Sequence, residues 1–127
     1  MSDSSLDTRR KILAFTAIEE VGAGLVLMIH PSIIGGLLLG EEISGVGTLL
    51  ARCVGIALLA LGAACWPSGP RAESGAAPFR GMLLYNALIA LYLGYLGAVQ
   101  HRGGWLLWPA VALHAVVALL LARTWRR

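Results

Sequence analysis

Apolar residues along this chain gather in four long runs, separated by short polar, glycine-rich or proline-rich stretches. The runs cover about 11–30, 48–66, 80–100 and 105–123. Each is close to the ~20 residues that a helix needs to cross ~30 Å of hydrocarbon. No alternating apolar–polar pattern occurs, and the runs are too long for barrel strands. The pattern predicts an all-α polytopic membrane protein, a four-transmembrane-helix bundle in one domain spanning 1–127. Runs two and three are separated by WPSGPRAESGAAP, and runs three and four by QHRGG. Both read as connections. Between runs one and two lies PSIIGGLLLGEEISGVG, too short and glycine-rich to span. It is expected to be interfacial or re-entrant, with Glu41 and Glu42 in water.

Composition agrees. Of 127 residues, 57% are hydrophobic and 13% charged. A soluble domain of this length could not bury that much apolar surface, so the excess must face lipid. The formal net charge of +3 does not indicate nucleic acid, because the basic residues mark the run ends. Arg9, Arg10, Lys11, Arg71, Arg80, Arg123, Arg126 and Arg127 fall on one side, Arg102 alone on the other, and Arg52 inside a run. The positive-inside rule then predicts cytoplasmic termini. Arg9-Arg10-Lys11 followed by apolar residues imitates a signal peptide. However, Glu19 and Glu20 interrupt the run and no A-x-A-like site follows, so a retained first helix is expected. Cys53 and Cys65 lie roughly 18 Å apart along one helix and cannot pair with each other there.

The candidate chemistry is the set of polar residues inside the runs. With spans one and three running outward and two and four inward, the midplane falls near Val21, Ile56, Ala90 and His114. At ~1.5 Å per residue, Glu20 and His114 lie within a couple of Å of it. Tyr92 is slightly outward, Arg52 roughly 6 Å outward and Asn86 about as far inward. Charged groups facing lipid cost a few kcal/mol, so these side chains should turn into the bundle. Small neighbours such as Thr16, Ala17 and Gly24 beside Glu20 would let helices approach. Glu19 points about 100° away from Glu20, and the two carboxylates cannot take the same partner. Glu20 is favoured as the pocket residue.

Two readings follow. Glu20–Arg52 is a structural ion pair, with Asn86 and His114 as interhelical hydrogen-bond glue. Alternatively, Glu20, Arg52, Asn86, Tyr92, His114 and Glu19 line a site for a small amphipathic or hydrophobic ligand, quinone-like or lipid-like. In an enzyme, Glu20 and His114 would be the catalytic acid–base pair of a lipid isomerase or cyclase. Proton-coupled transport of a small solute is a third class. Tyr85 shares a helix face with Tyr92, which suits packing or the wall of such a site. No metal-ligand spacing, phosphate loop or nucleophile motif occurs, so no metal is expected and no cofactor is indicated. The expected partners are the bilayer, the ligand, and a homo-oligomer or larger membrane complex.

The first-span Glu, ARCVGIALLALG in the second span and LLWPAVALHAVVALLLA in the fourth resemble the DoxX-like group of small four-helix bacterial membrane proteins. That resemblance covers most of the chain. It implies the fold, a place in a bacterial inner membrane, and an accessory role in a membrane redox assembly.

Overall fold

The computed structural model describes residues 3–67 and 76–125. They form helices α1 (Asp3–Ile29), α2 (Pro31–Ile34), α3 (Val46–Ala64), α4 (Ala76–Ala98) and α5 (Leu107–Trp125). A π-helical turn, Gly35–Leu39, follows α2, and no strand occurs among the described residues. The chain is therefore an all-α four-helix bundle. Four helices, α1, α3, α4 and α5, are long and apolar enough to cross a membrane. Large apolar side chains such as Ile18, Leu49, Leu91 and Val116 stand exposed on their outer faces. In water that arrangement would be costly; against lipid tails it costs nothing.

The bundle is built from two antiparallel hairpins. The first pairs α1 with α3, and the second pairs α4 with α5. Glycine sets the first. A Cβ on Gly24 would fall 2.7 Å from the Gly55 carbonyl oxygen, and one on Gly55 would fall 2.7 Å from that of Gly24. Gly62 sits as closely against Ala17 and Val21. Helices come this close in lipid by removing side chains, because apolar burial gives no drive there. The two hairpins meet where α1 touches α5 and α4. A cluster of Leu13, Cys65, Phe79, Met82, Val117 and Leu121 closes one end. Leu93, Leu96 and Leu107 form a second core towards the other.

The segment between α1 and α3 is held by its backbone. A π-turn leaves carbonyls without their usual helical donors. The Leu38 and Leu37 carbonyls accept from the Gly104 and Leu106 N–H groups, at 2.8 and 3.0 Å. A Cβ on Gly104 would land on the Leu37 carbonyl oxygen, so the approach needs glycine. Arg102 adds an exposed ion pair to Glu41 at 3.0 Å. At the opposite end, Arg9 donates to the Thr124 carbonyl at 3.1 Å and lies over the Phe79 ring. Arg71, Arg126 and Arg127, which entered the charge argument, lie outside the described residues.

Both cysteines are free, Cys53 exposed and Cys65 buried.

Candidate functional site

The polar cluster sits where α1 meets α4 and α5. Glu20 and Asn86 are 1% and 0% exposed. The Asn86 Nδ2 group donates to the Met82 carbonyl at 2.9 Å, one turn back on its own helix. That bond fixes the amide, and turns Oδ1 outward as an acceptor. His114 Nδ1 meets Asn86 Oδ1 at 2.8 Å. The amide oxygen can only accept, so the Nδ1–H donates. The neutral ring then carries its lone pair on Nε2. Nε2 faces Glu19 Oε1 at 3.8 Å. That distance exceeds a hydrogen bond.

Glu20 turns to the other helix. Its carboxylate lies close enough to the Tyr85 side chain for the two to interact, and of the pair only the hydroxyl can donate. The Tyr85 ring stands edge-on to the His114 ring, with centroids 6.1 Å apart at 81°. The pattern leaves two buried oxygens without a hydrogen-bond partner, Glu19 Oε2 and Glu20 Oε1. Carboxylate oxygens in a low-dielectric site normally hold donors or a cation. One ligand atom from each of Glu19, Glu20 and His114 lies within 4.8 Å of the others.

Of the residues singled out from sequence, the fold brings together Glu19, Glu20, Asn86 and His114. The expected choice between the two glutamates dissolves. They diverge along the helix surface, but α5 receives one and α4 the other.

Arg52 and Tyr92 are not in the cluster. Gly55 lies against Gly24 and Met28, so Arg52, one turn further along α3, falls level with Ile29. That is nine residues from Glu20, or about 13 Å along the axis. The anticipated Glu20–Arg52 pair does not form, and the Glu20 carboxylate has Tyr85 as its neighbour instead. Arg52 is exposed. At that level it lies near the edge of a ~30 Å hydrocarbon layer, where a long basic side chain can reach the head groups. Tyr92 is 59% exposed on the outer face of α4. It shares a face with Tyr85, but the Glu20 level of α1 covers only Tyr85.

Tyr85, weighed from sequence only as packing or the wall of such a site, belongs to the cluster itself. The signal was its place beside Asn86. Common depth already placed Glu19, Glu20 and His114 in one candidate site; that they come close enough to share an ion was not anticipated, because 94 positions separate Glu20 from His114 and no local ligand spacing announces it. No family model, curated protein or solved structure matches the chain.

Proposed function

We propose that this chain is an integral protein of a bacterial inner membrane that binds a small amphipathic ligand at the Glu19–Glu20–Tyr85–Asn86–His114 cluster. One observation carries the reading: Glu19 Oε2 and Glu20 Oε1 are buried and lack donors. A quinone-like or lipid-like molecule bearing a hydroxyl on its head would supply them, and its apolar body would stay among the helices. The Glu19 and His114 side chains keep 19% and 13% exposure, which gives such a head group a lateral approach. The eight-to-one distribution of basic residues supports cytoplasmic termini. The sequence resemblance to the DoxX-like group supports an accessory role in a membrane redox assembly.

Acid–base turnover of a lipid-like substrate is the second reading. The 3.8 Å approach of His114 Nε2 to Glu19 favours it, since a proton could pass between them and a bound head group.

The test is mass spectrometry of protein taken from its membrane in mild detergent. A defined amphipathic compound should accompany the native chain and be lost from Glu20→Gln. Equal recovery from both proteins would sink the ligand reading. Turnover of the recovered compound would select the enzymatic one.

A further inference from the structure

Three features of the cluster converge on a cation. The first is the orientation of His114. Asn86 is locked by its bond to the Met82 carbonyl and takes up the Nδ1–H. The imidazole is thereby set with Nε2 as the free donor atom, the arrangement in which a histidine binds a metal. The second is what Nε2 faces. A lone pair and a carboxylate oxygen are both acceptors, and at 3.8 Å they do not bond each other. A metal ion between them would make that contact favourable, as a shared proton would. The third is the Glu20 carboxylate. It is 1% exposed, its Oε1 has no partner, and it belongs to the same group of ligand atoms within 4.8 Å.

We propose that Glu19, Glu20 and His114 form a site for a single divalent transition-metal ion within the membrane. Two carboxylates and one neutral imidazole carry a charge of −2, which a divalent ion cancels. A net-neutral site avoids the cost that an uncompensated charge meets in hydrocarbon. One nitrogen and two oxygens suit Zn²⁺ or Fe²⁺ better than Mg²⁺ or Ca²⁺, which prefer all-oxygen sites. Metal–ligand bonds of ~2.0–2.1 Å require tetrahedral ligand atoms ~3.3 Å apart. Closing the cluster therefore takes side-chain movements of about 1 Å. The supporting contacts are in place. Asn86 orients the histidine, and the Tyr85 hydroxyl stands beside Glu20, in the places that outer-sphere partners commonly take. Three protein ligands leave positions open, as in catalytic rather than structural metal sites. The inference uses the side chains of the proposed ligand site but does not rest on that ligand.

The test uses the full chain in nanodiscs of synthetic lipid, stripped with a chelator and titrated with Co²⁺ and Zn²⁺. No amphipathic metabolite is present, so the result is independent of the ligand reading. Saturable uptake of one ion per chain is expected, with the visible d–d bands of four- or five-coordinate Co²⁺. Asn86→Leu should weaken binding by about 10- to 100-fold. His114→Ala and Glu20→Gln should weaken it more, whereas Glu41→Gln, at the far end, should leave it unchanged. Circular dichroism checks that each variant keeps its helices. Should His114→Ala unfold, His114→Cys replaces it and should bind Co²⁺ with a new sulfur-to-metal charge-transfer band. Absence of stoichiometric uptake by the native chain overturns the proposal. So does equal affinity in a folded His114 variant that lacks a ligand atom.

Discussion

Helix α1 presents two faces that solve opposite problems. Towards α3 it offers Ala17, Val21 and Gly24, and receives Gly55 and Gly62 at backbone distance. No polar side chain takes part in these close approaches. Towards α4 and α5 it offers Glu20 and Glu19, which meet Tyr85 and His114. The first face is selected by shape. Its stability comes from dispersion contacts that only small residues permit. The second is selected by chemistry. Its groups are costly to hold in a membrane, and two oxygens are left without partners. Close packing and polar chemistry thus divide between two sides of one helix, and substitutions should separate them.

The largest effect should come from the packed face. Gly24→Val places carbon 2.7 Å from the Gly55 carbonyl and 3.1 Å from Leu59. The backbones must move apart, at about 1–3 kcal/mol. The midpoint of unfolding in mixed micelles should fall accordingly; an unchanged midpoint would show that the α1–α3 contact is not close. Asn86→Leu should come next. It removes the acceptor of His114 Nδ1–H and should cost up to about 1.7 kcal/mol, the upper end for hydrogen bonds between membrane helices. The same unfolding assay reads it. A gain in stability would mean that the His114–Asn86 bond holds nothing together.

The Glu20–Tyr85 contact should be weaker. A double-mutant cycle of Glu20→Gln and Tyr85→Phe should return a coupling of about 0.6 kcal/mol, the average for such bonds. Strict additivity would remove Tyr85 from the cluster. Smallest of all, Arg52→Leu should change stability by no more than about 0.5 kcal/mol. It should also add simply to Glu20→Gln, since the two residues lie about 13 Å apart in level. Measurable coupling between them would restore the ion pair and contradict the Gly24–Gly55 register.

Much was legible in the sequence because lipid imposes one-dimensional rules. Helix number, approximate span ends and the inward turn of Glu20, Asn86 and His114 follow from hydrophobic length and the cost of exposed charge. The observed helices keep the four runs. α1 begins earlier, at Asp3, where the exposed Lys11–Asp7 pair supports the first turns. The segment after α1, expected to be interfacial or re-entrant and too short to span, folds as α2 and a π-turn docked on 104–106.

What sequence reasoning about depth did not decide was register. Counting from span ends placed Arg52 within a few residues of the midplane. The backbone contact of Gly24 with Gly55 moves it to the level of Ile29. An error of a few residues in a span end is harmless for topology. For a hydrogen bond between helices it is decisive, because ~1.5 Å per residue accumulates faster than a side chain can reach. Tyr92 stayed outside for a related reason, since a helix face is shared along its length while a neighbour covers only part of it.

The sequence by itself thus determined that four helices cross, which residues are too polar for lipid, and which glycines are available for close approach. Only the tertiary structure decided which of those residues touch. It sent Glu19 to His114 and Glu20 to Tyr85, and it left Arg52 at the edge. The reason is physical. Hydrophobic partitioning acts on each residue separately and can be read one position at a time. Partner choice depends on how two backbones pack, and that depends on the fit of all their side chains together.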